Sequence, residues 1–372
     1  MNRIGVASLM SLVALLAGCP EETGPNPQPQ PQPTGLEPPP SGQGVQIGTG
    51  DQPVPAGKEV QNCYFFKVSD LLAKAGLPTD KPLNLHKVEA FQNDGSHHMN
   101  IFRVKTLFPE AEGGMLPENG PYLSQDAPPE AKGGPCFKSS NWADWPLIAN
   151  TQIDGTLDWE FPEGVANKLD PDEWIMLQSH FVNATTQTTP EGSGEVFVNF
   201  WHMPDSEVVH EMGTVFATKQ SIRVCQGNPQ PEFSGGCQIQ SAQPVTVVGA
   251  NGHFHSRGNS FEMYAWDGVS TEAVPGDKFY SSDDWEEPEM ARGDSIATIP
   301  ANGGILYTCD YQWSEPPAPI SCADLNAFDA EKYGTGEDQQ DCCYTFGPQV
   351  DRNEHCNIFV YYYPKSDDVS CN

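Results

Sequence analysis

The chain has 372 residues and a formal net charge of −31, which results from 50 acidic and 19 basic residues. A surface this acidic argues against nucleic acid and anionic lipid as partners. Solubility of an exported protein is the ordinary explanation for such a charge, and accumulation of cations is the alternative.

Residues 1–19 are predicted to be a lipoprotein signal peptide. Arg3 gives a positive start, residues 6–16 form an apolar segment, and Ala17-Gly18-Cys19 forms a small-residue processing site. A cysteine at the cleavage point resembles the lipobox of bacterial lipoproteins, so Cys19 is the expected lipidation site. An ordinary signal peptide with an incidental cysteine is the alternative. Pro20 stands where retention signals usually place Asp, which predicts sorting to the outer membrane. No later stretch is long and apolar enough to span a bilayer.

Residues 20–57 are predicted to form an extended tether. Between residues 26 and 40, Pro alternates with Gln, Thr, Gly and Glu, a composition that favours polyproline II and cannot bury a core. The rest of the chain is long enough for two domains. We expect a boundary near Pro204, which gives domains at 58–204 and 205–372.

The folded part is predicted to be all-β. Apolar β-branched and aromatic residues recur with a period of two in five segments, 174–182, 195–201, 243–248, 261–266 and 357–363. Turn signals separate such segments at 93–95, 190–192 and 302–304. Only two short helices are expected, near 69–75 and 323–332. The pattern predicts two β-sandwiches. Residues 312–349 hold three cysteines and are expected to be a disulfide-stapled insertion outside the core.

Six of the nine histidines fall into four short clusters, which are His97-His98, His180, His253-Phe254-His255 and His355. Three imidazoles bind a first-row metal ion while leaving positions open for oxygen or substrate. Three of these histidines precede the predicted boundary and three follow it. The sequence therefore predicts one metal site in each half. For each cluster taken alone, incidental histidines remain the alternative, and His86, His202 and His210 are expected to have no metal role.

The spacing within each histidine pair has a structural requirement. His253 and His255 are two residues apart, so in a strand they point to the same face. His97 and His98 are adjacent, and in a regular strand they would point to opposite faces. They can bind one ion only at a bulge or a strand end, and the turn-forming residues 93–96 predict such an irregularity.

Apart from Cys19, the chain has ten cysteines, and an even number in an exported protein indicates five disulfides. The adjacent Cys342 and Cys343 could instead form a thiol metal site. No Cys-x-x-Cys spacing supports that alternative.

Taken in order, the histidine clusters resemble the copper type II, ascorbate-dependent monooxygenases, the family of peptidylglycine α-hydroxylating monooxygenase and dopamine β-monooxygenase. The resemblance runs from about residue 58 to the C-terminus. The stretches that carry it are His97-His98-Met99, Leu177-Gln178-Ser179-His180, His253-Phe254-His255 and His355-Cys356-Asn357.

This resemblance implies two tandem jelly-roll-like antiparallel β-sandwich domains with one copper ion each. His97, His98 and His180 would hold the electron-transfer copper. His253, His255 and His355, the residue before Cys356, would hold the copper that binds oxygen. Ascorbate or another one-electron reductant would supply electrons, and a C–H bond of an organic substrate would be hydroxylated. The resemblance also implies three disulfides, Cys63–Cys136, Cys237–Cys371 and Cys309–Cys356, and leaves Cys225, Cys322, Cys342 and Cys343 without a counterpart.

Two positions depart from the family pattern. The family has a methionine where this chain has His355, and an imidazole suits Cu(II) better than a thioether does. Met263 is the alternative source of sulfur. At the three positions that would bind the carboxylate of a peptidylglycine, this chain has Asn251, Asn357 and Phe359, and only Asn357 matches. A less charged or hydrophobic small molecule is therefore an equally good expectation for the substrate.

The sequence thus predicts a lipid-anchored copper monooxygenase of the cell envelope. A non-catalytic copper-binding lipoprotein is the main alternative, and an adhesion module with incidental histidines is a third. Imidazole ligands alone do not separate copper from zinc.

Overall fold

The structure is a computed structural model that describes residues 35–93, 95–104, 134–135, 146–151, 156–183, 193–270, 272–285, 288–333, 341–347 and 350–372. The predicted signal peptide with Cys19, the turn at 190–192 and Cys136 lie outside these residues. Gly35–Asn372 forms one compact unit, so the division of the chain near Pro204 into separate domains stays a prediction.

Two large sheets and a two-stranded sheet, in which β11 pairs with β2, make up the described part of the first half of the folded chain. The strands are β1 (Gly44–Gly48), β2 (Gln52–Pro53), β3 (Lys58–Lys67), β4 (Leu83–Gln92), β5 (Ser96–Arg103), β6 (Gly134–Pro135), β7 (Leu147–Thr151), β8 (Thr156–Glu160), β9 (Val165–Leu169), β10 (Trp174–Asn183), β11 (Ser193–Gly194) and β12 (Val196–His202). One sheet has the order β1-β12-β4-β9, with β8 beside β4, and the other has the order β6-β3-β10-β5-β7. The strand β13 (His210–Glu211) joins the first sheet in parallel with β9.

The second half contains three further sheets. Its strands are β14 (Gly213–Thr218), β15 (Arg223–Cys225), β16 (Glu232–Ile239), β17 (Val245–His253), β18 (Gly258–Trp266), β19 (Lys278–Ser282), β20 (Ala291–Ile299), β21 (Gly304–Tyr311), β22 (Cys343–Phe346), β23 (Asn353–Glu354), β24 (Asn357–Tyr363) and β25 (Val369–Cys371). The sheet orders are β14-β24-β17-β20, β15-β22-β23 and β19-β18-β21-β16-β25. The helices are α1 (Val68–Ala75) and α2 (Cys322–Tyr333). The all-β fold class and both short helices are confirmed.

The buried side chains follow the predicted alternation. On β12, Val196, Val198 and Phe200 are fully buried and point into the core of the first half. The core of the second half is separate and includes Val247 and Ile358. Phe359 and Tyr361 of β24, by contrast, pack into the core of the first half. Alternate residues of β24 therefore contribute to both cores, and this strand joins the two halves.

The predicted tether, residues 20–57, extends too far towards the C-terminus, and this part of the prediction is wrong. Residues 44–48 form β1, which pairs with β12 at the edge of the first sheet. Val45 and Ile47 are each only 2% exposed and belong to the first core. Two apolar residues with a period of two are enough to bury one face of an edge strand. The surrounding Pro and Gly residues make this alternation hard to recognise in the sequence.

Residues 312–349 were expected to lie outside the core, and this is also wrong. The segment contains α2 and β22, and β22 pairs with β15 and β23. Leu325 and Tyr344 are buried in the second core. Because β23 leads directly to His355, this segment helps to position the predicted metal ligands.

The disulfides confirm two of the pairs that the resemblance implied, Cys237–Cys371 and Cys309–Cys356. Cys63 is also disulfide-bonded. The remaining described bridges are Cys225–Cys343 and Cys322–Cys342, so the adjacent cysteines serve two disulfides and the thiol metal site is wrong. Disulfides persist in oxidising compartments, which places the folded chain outside the cytoplasm. Neither helix of the described residues is long and apolar enough to cross a bilayer.

Candidate metal centre

A β-bulge brings the first three histidines together. In the pairing of β10 with β5, His180 faces His98, but the next residue of β10, Phe181, faces Ser96. His97 is therefore an extra residue on β5, and such a bulge turns its side chain towards that of its neighbour. The ring centroids of His97 and His98 lie 5.1 Å apart. The ring centroid of His180 lies 5.3 Å from that of His97 and 4.9 Å from that of His98. The irregular backbone that the sequence predicted here is confirmed.

The nitrogen atoms of this first cluster have the spacing of metal ligands. The Nδ1 atoms of His97 and His98 are 3.0 Å apart. Two nitrogens that each bind one ion at about 2.0 Å, with about 90–110° between the bonds, are about 2.8–3.3 Å apart. One ligand atom from each of the three histidines lies within 4.8 Å of the others. The donor set and its spacing therefore fit one first-row metal ion.

The second cluster forms where β17 ends and β24 begins. His253 is the last residue of β17 and pairs with Asn357, the first residue of β24. His255 follows the strand rather than belonging to it, and His355 precedes β24. The ring centroid of His253 lies 5.3 Å from that of His255 and 5.4 Å from that of His355, and the latter two are 4.3 Å apart. Their ligand atoms also lie within 4.8 Å of one another.

Buried polar groups hold the second cluster in place. The carboxylate of Glu354 accepts hydrogen bonds from the backbone N–H groups of His255 and Arg257, each at 3.0 Å. Nδ1 of His255 contacts the carbonyl oxygen of Asn353 at 2.9 Å, which leaves Nε2 as its ligand atom. The Nδ1 atom of His253 is buried and has no hydrogen-bond partner within the described part of the chain.

His355 has contacts at both ring nitrogens. Nε2 lies against the carbonyl oxygen of Gly347, and Nδ1 accepts a hydrogen bond of 2.8 Å from the side-chain amide of Asn357. One of these contacts must be exchanged for the ion if His355 is a ligand. Met263, the alternative sulfur ligand, is fully buried in the second core and does not line the site. The structure therefore brings His355, and not Met263, next to His253 and His255.

Burial favours the neutral, ligand-competent form of these imidazoles. Removal from water lowers the pKa of His98, His253 and His255 well below the usual value, and neighbouring histidines lower it further. A neutral imidazole keeps the lone pair that a metal ion needs. Burial also raises the pKa of Glu354 to about 8. The hydrogen bonds that Glu354 accepts from backbone N–H groups lower this pKa, but their effect is smaller than that of burial.

The two clusters face each other across one small cavity. The ring centroids of His98 and His253 lie 5.8 Å apart, and all six histidines line a cavity of about 60 Å³. Asn357 and Phe359, two of the predicted substrate-binding residues, also line it. Asn251 does not. It is fully buried because its side chain points into the contact between the halves, where its Oδ1 accepts a hydrogen bond of 3.2 Å from Asn150.

Several lining residues were not predicted from the sequence. Asn100 and Gln178 pair across β5 and β10 and are joined by a hydrogen bond of 3.0 Å. Asn100 lies two residues from His98 and Gln178 lies two residues from His180 on the same strand, a spacing that could have indicated them. Nothing in the sequence near Phe216 or Trp285 indicates their place in the cavity, since it depends on contacts between distant strands.

The other three histidines lie at a different place. His86, His202 and His210 line a separate cavity of about 880 Å³ together with Glu160, Glu163 and Glu207. Within the described residues, the groups of donor atoms close enough to share an ion do not include them. Their lack of a metal role stays a prediction.

No family model matches this sequence, and no curated protein matches it. Among solved structures, the chain is similar to a presumed secreted protein from Eubacterium rectale, with 9% identity and a TM-score of 0.22 over 75% of this chain and 66% of that one. It is similar to the PBCV-1 protein VP54 fitted into a reconstruction of the virophage Sputnik, with 8% identity, a TM-score of 0.24 and coverage of 88% and 93%. A third is PNGF-II, with 7% identity, a TM-score of 0.26 and coverage of 85% and 60%. The chain thus spans slightly less than two thirds of the first structure, and TM-scores this low carry no functional argument.

We expect Glu354→Ala to destabilise the protein by about 2–4 kcal/mol, because two buried N–H groups lose their acceptor. The loop that carries His255 should move, and the second cluster should bind its ion more weakly. Glu354→Gln is the matched control, since its single amide oxygen still accepts one of the two hydrogen bonds and the variant should lose less stability than Glu354→Ala. Urea unfolding and metal titration check both effects. Equal stability of the two variants would contradict the positioning role.

The substitution Gly258→Ala tests the packing around His253 and His255. A Cβ at Gly258 would overlap the ring of Phe254, which is fully buried between His253 and His255. We expect a loss of about 1–3 kcal/mol from overpacking, together with weaker metal binding at this cluster. Gly276→Ala is the control, since a Cβ there meets nothing within 4 Å. Thermal unfolding and metal titration measure the two effects, and a stable variant with unchanged metal affinity would contradict them.

Proposed function

We propose that this chain is a copper-dependent monooxygenase that hydroxylates a C–H bond of a small organic substrate, using dioxygen and a one-electron reductant such as ascorbate. The observation that supports it most directly is the pair of histidine triads, each with ligand atoms within 4.8 Å, facing the same cavity. Imidazole is a favoured ligand of copper. The resemblance of the histidine stretches to the ascorbate-dependent monooxygenases supplies the reaction type.

The stoichiometry of the reaction requires two electrons. One oxygen atom of dioxygen enters the C–H bond and the other leaves as water, which consumes two electrons and two protons. Two one-electron oxidations of the reductant supply these electrons. His97, His98 and His180 would hold one copper ion and His253, His255 and His355 another, and these ions would supply one-electron redox chemistry.

The residues of the chain have three tasks in this reaction. The bulge at His97 and the loop held by Glu354 orient the imidazoles, so that little rearrangement is needed when an ion binds. Burial keeps the imidazoles neutral. Phe216, Phe359 and Trp285 line the cavity and would limit the access of bulk water to it.

The place of action belongs to the same proposal. The chain is a lipoprotein whose Cys19 carries the lipid anchor and whose folded part works at the outer membrane, on the periplasmic or the outer side. The disulfides agree with this compartment. Labelling with a radioactive fatty acid, with Cys19→Ala as the control, tests the anchor.

Metal analysis and oxygen uptake test the enzyme. The copper-loaded chain is expected to contain two copper ions and to consume oxygen in the presence of ascorbate and an organic substrate. Peptide, catechol and amine substrates cover the chemical range. If copper binds but no substrate raises oxygen uptake above that of free copper, the enzymatic proposal fails. If zinc binds and copper does not, the redox proposal fails altogether.

A copper-binding lipoprotein without oxygenase activity is the second candidate, and His355 is the observation that favours it. A third imidazole in place of a thioether suits Cu(II) better than Cu(I), and a site that holds Cu(II) stably suits storage better than oxygen chemistry. His355→Met separates the candidates. A gain of oxygen uptake in the variant supports the binding protein, and a loss supports an enzyme adapted to three imidazoles.

A further inference from the structure

We propose that Arg257 is the positioning residue of the second cluster, and that it fixes this cluster against the disulfide-stapled strand β22. The proposal deepens the proposed function and rests on it, because it concerns how one of the two copper sites is held. Arg257 follows His255 by two residues and is only 5% exposed. It does not line the cavity between the clusters and acts through the backbone segments that carry His255 and His355.

The side chain of Arg257 holds the segment that leads to His355. Its guanidinium donates hydrogen bonds to two successive backbone carbonyl oxygens, from Nη1 to Val350 at 2.6 Å and from Nη2 to Asp351 at 3.3 Å. Val350 itself lines the cavity between the clusters. The donors of a guanidinium lie in one plane at fixed angles, so two bonds from one group set both position and orientation. The segment before His355 is therefore tied to the loop that follows His253.

Backbone contacts join the same two segments at a second place. The N–H groups of His255 and Arg257 both donate hydrogen bonds of 3.0 Å to the carboxylate of Glu354. Nδ1 of His255 contacts the carbonyl oxygen of Asn353 at 2.9 Å, and this contact orients the imidazole ring. Without the guanidinium, the segment 350–353 would be held at one end only. Asn353 could then shift relative to His255, and the ring of His255 would turn with it.

The guanidinium also rests on a cross-linked strand. It stacks on the ring of Tyr344, with 3.9 Å between its central carbon and the ring centroid. Tyr344 is fully buried in β22. The two residues before it are disulfide-bonded cysteines, one bridged to β15 and the other to the start of α2. These bridges restrict the movement of β22, so Arg257 connects the second cluster to a platform that is covalently fixed.

The first cluster is held in another way, which makes the proposal selective. Its histidines lie on β5 and β10, and the pairing of these strands does not involve Arg257. Loss of a group that orients a metal ligand typically weakens metal binding by about 10–100-fold. We therefore expect substitutions of Arg257 to weaken the binding of one of two ions by about 10–100-fold and to leave the affinity for the other unchanged.

Copper titration of the mature chain, by competition with a chelator, tests this selectivity in Arg257→Lys and Arg257→Met. Lysine keeps the positive charge but lacks the planar fork that reaches two carbonyl groups and stacks on a ring. Both variants should bind one ion about 10–100-fold more weakly. The Cu(II) electron paramagnetic resonance signal of that ion should change, and that of the other ion should stay the same. Unchanged affinity in Arg257→Lys, or an equal loss at both ions, would overturn the proposal.

Arg103→Met is the matched control for the removal of a buried arginine. Arg103 is 8% exposed and donates hydrogen bonds of 2.9 and 2.7 Å to Glu173, but it does not line the cavity between the clusters. This variant should lose stability and keep its affinity for both ions. In the metal-free protein, hydrogen–deuterium exchange of residues 350–355 should be faster in Arg257→Met and unchanged in Arg103→Met. The proposal is wrong if the two variants lose copper equally, or if Arg257→Met leaves this exchange unchanged.

A second metal ion separates this proposal from the proposed function. Zinc also binds imidazole, so the orientation of the ligands matters to zinc as it does to copper. Selective loss of one zinc ion in the Arg257 variants, from a chain without oxygenase activity, would support the positioning role and count against the monooxygenase. Oxygen uptake by the unchanged chain, together with normal binding of both ions by Arg257→Met, would overturn the positioning role and leave the monooxygenase standing.

Discussion

His98→Ala is expected to remove the copper ion from the first cluster and to reduce ascorbate-dependent oxygen uptake to the background rate. His98 is the imidazole that contacts both other members of its cluster and also faces His253. Loss of a residue that merely orients a ligand weakens metal binding by about 10–100-fold, so loss of the ligand itself should cost at least about 100-fold. Copper titration by competition with a chelator measures the affinity.

The design of this experiment separates a lost ligand from a damaged fold. His98 is buried, so the alanine variant should also be examined by thermal unfolding without copper. His210→Ala changes the same residue type at an exposed position and should leave copper content and oxygen uptake unchanged. A His98→Ala protein that still binds two copper ions with unchanged affinity would contradict the assignment of the first cluster.

Removal of the Cys309–Cys356 disulfide by a double alanine substitution is expected to have the largest effect on stability near the site. The bridge closes a loop of 47 residues, for which the entropy of the unfolded chain predicts about 4 kcal/mol. Cys356 is adjacent to His355, so the double substitution should also displace His355 from the second cluster. Chemical denaturation and copper titration report the two effects separately.

The Cys237–Cys371 disulfide offers a matched comparison. It closes a loop of 134 residues, and the same reasoning predicts about 5 kcal/mol for its removal. Neither cysteine lines the cavity between the two histidine clusters. Its loss should therefore destabilise the protein at least as much and leave the copper affinity of the folded protein unchanged. If both double variants lose copper equally, the effect arises from general unfolding and not from His355.

Much of the fold could be predicted because its signals are local. The period of two in β10, β12 and β24 and the apolar face of α1 are properties of short segments. The edge strand β1 was missed because only Val45 and Ile47 carry its pattern. The core residues Leu325 and Tyr344 were missed because α2 and β22 lie in a polar, cysteine-rich segment whose packing depends on distant partners.

The histidine clusters show the same division between local and distant information. The spacing of His97-His98 and the turn before it were enough to predict the bulge. That the two clusters meet in one cavity could not be predicted, because it depends on how β5 and β10 pack against β17 and β24. Asn251 illustrates the limit, since its position two residues before His253 suggested a place in the site, whereas it lies in the contact with Asn150.

The bulge at His97 also makes the register of β5 against β10 a condition for the three imidazoles of the first cluster to meet. Deletion of one residue at the start of β5 would restore regular pairing with β10, and neighbouring side chains would again point to opposite faces. The two paired strands would keep their apolar side chains, but they would present two imidazoles on one face where this chain presents three. A single extra residue in one of two strands that are distant in sequence thus decides whether the third imidazole joins the other two.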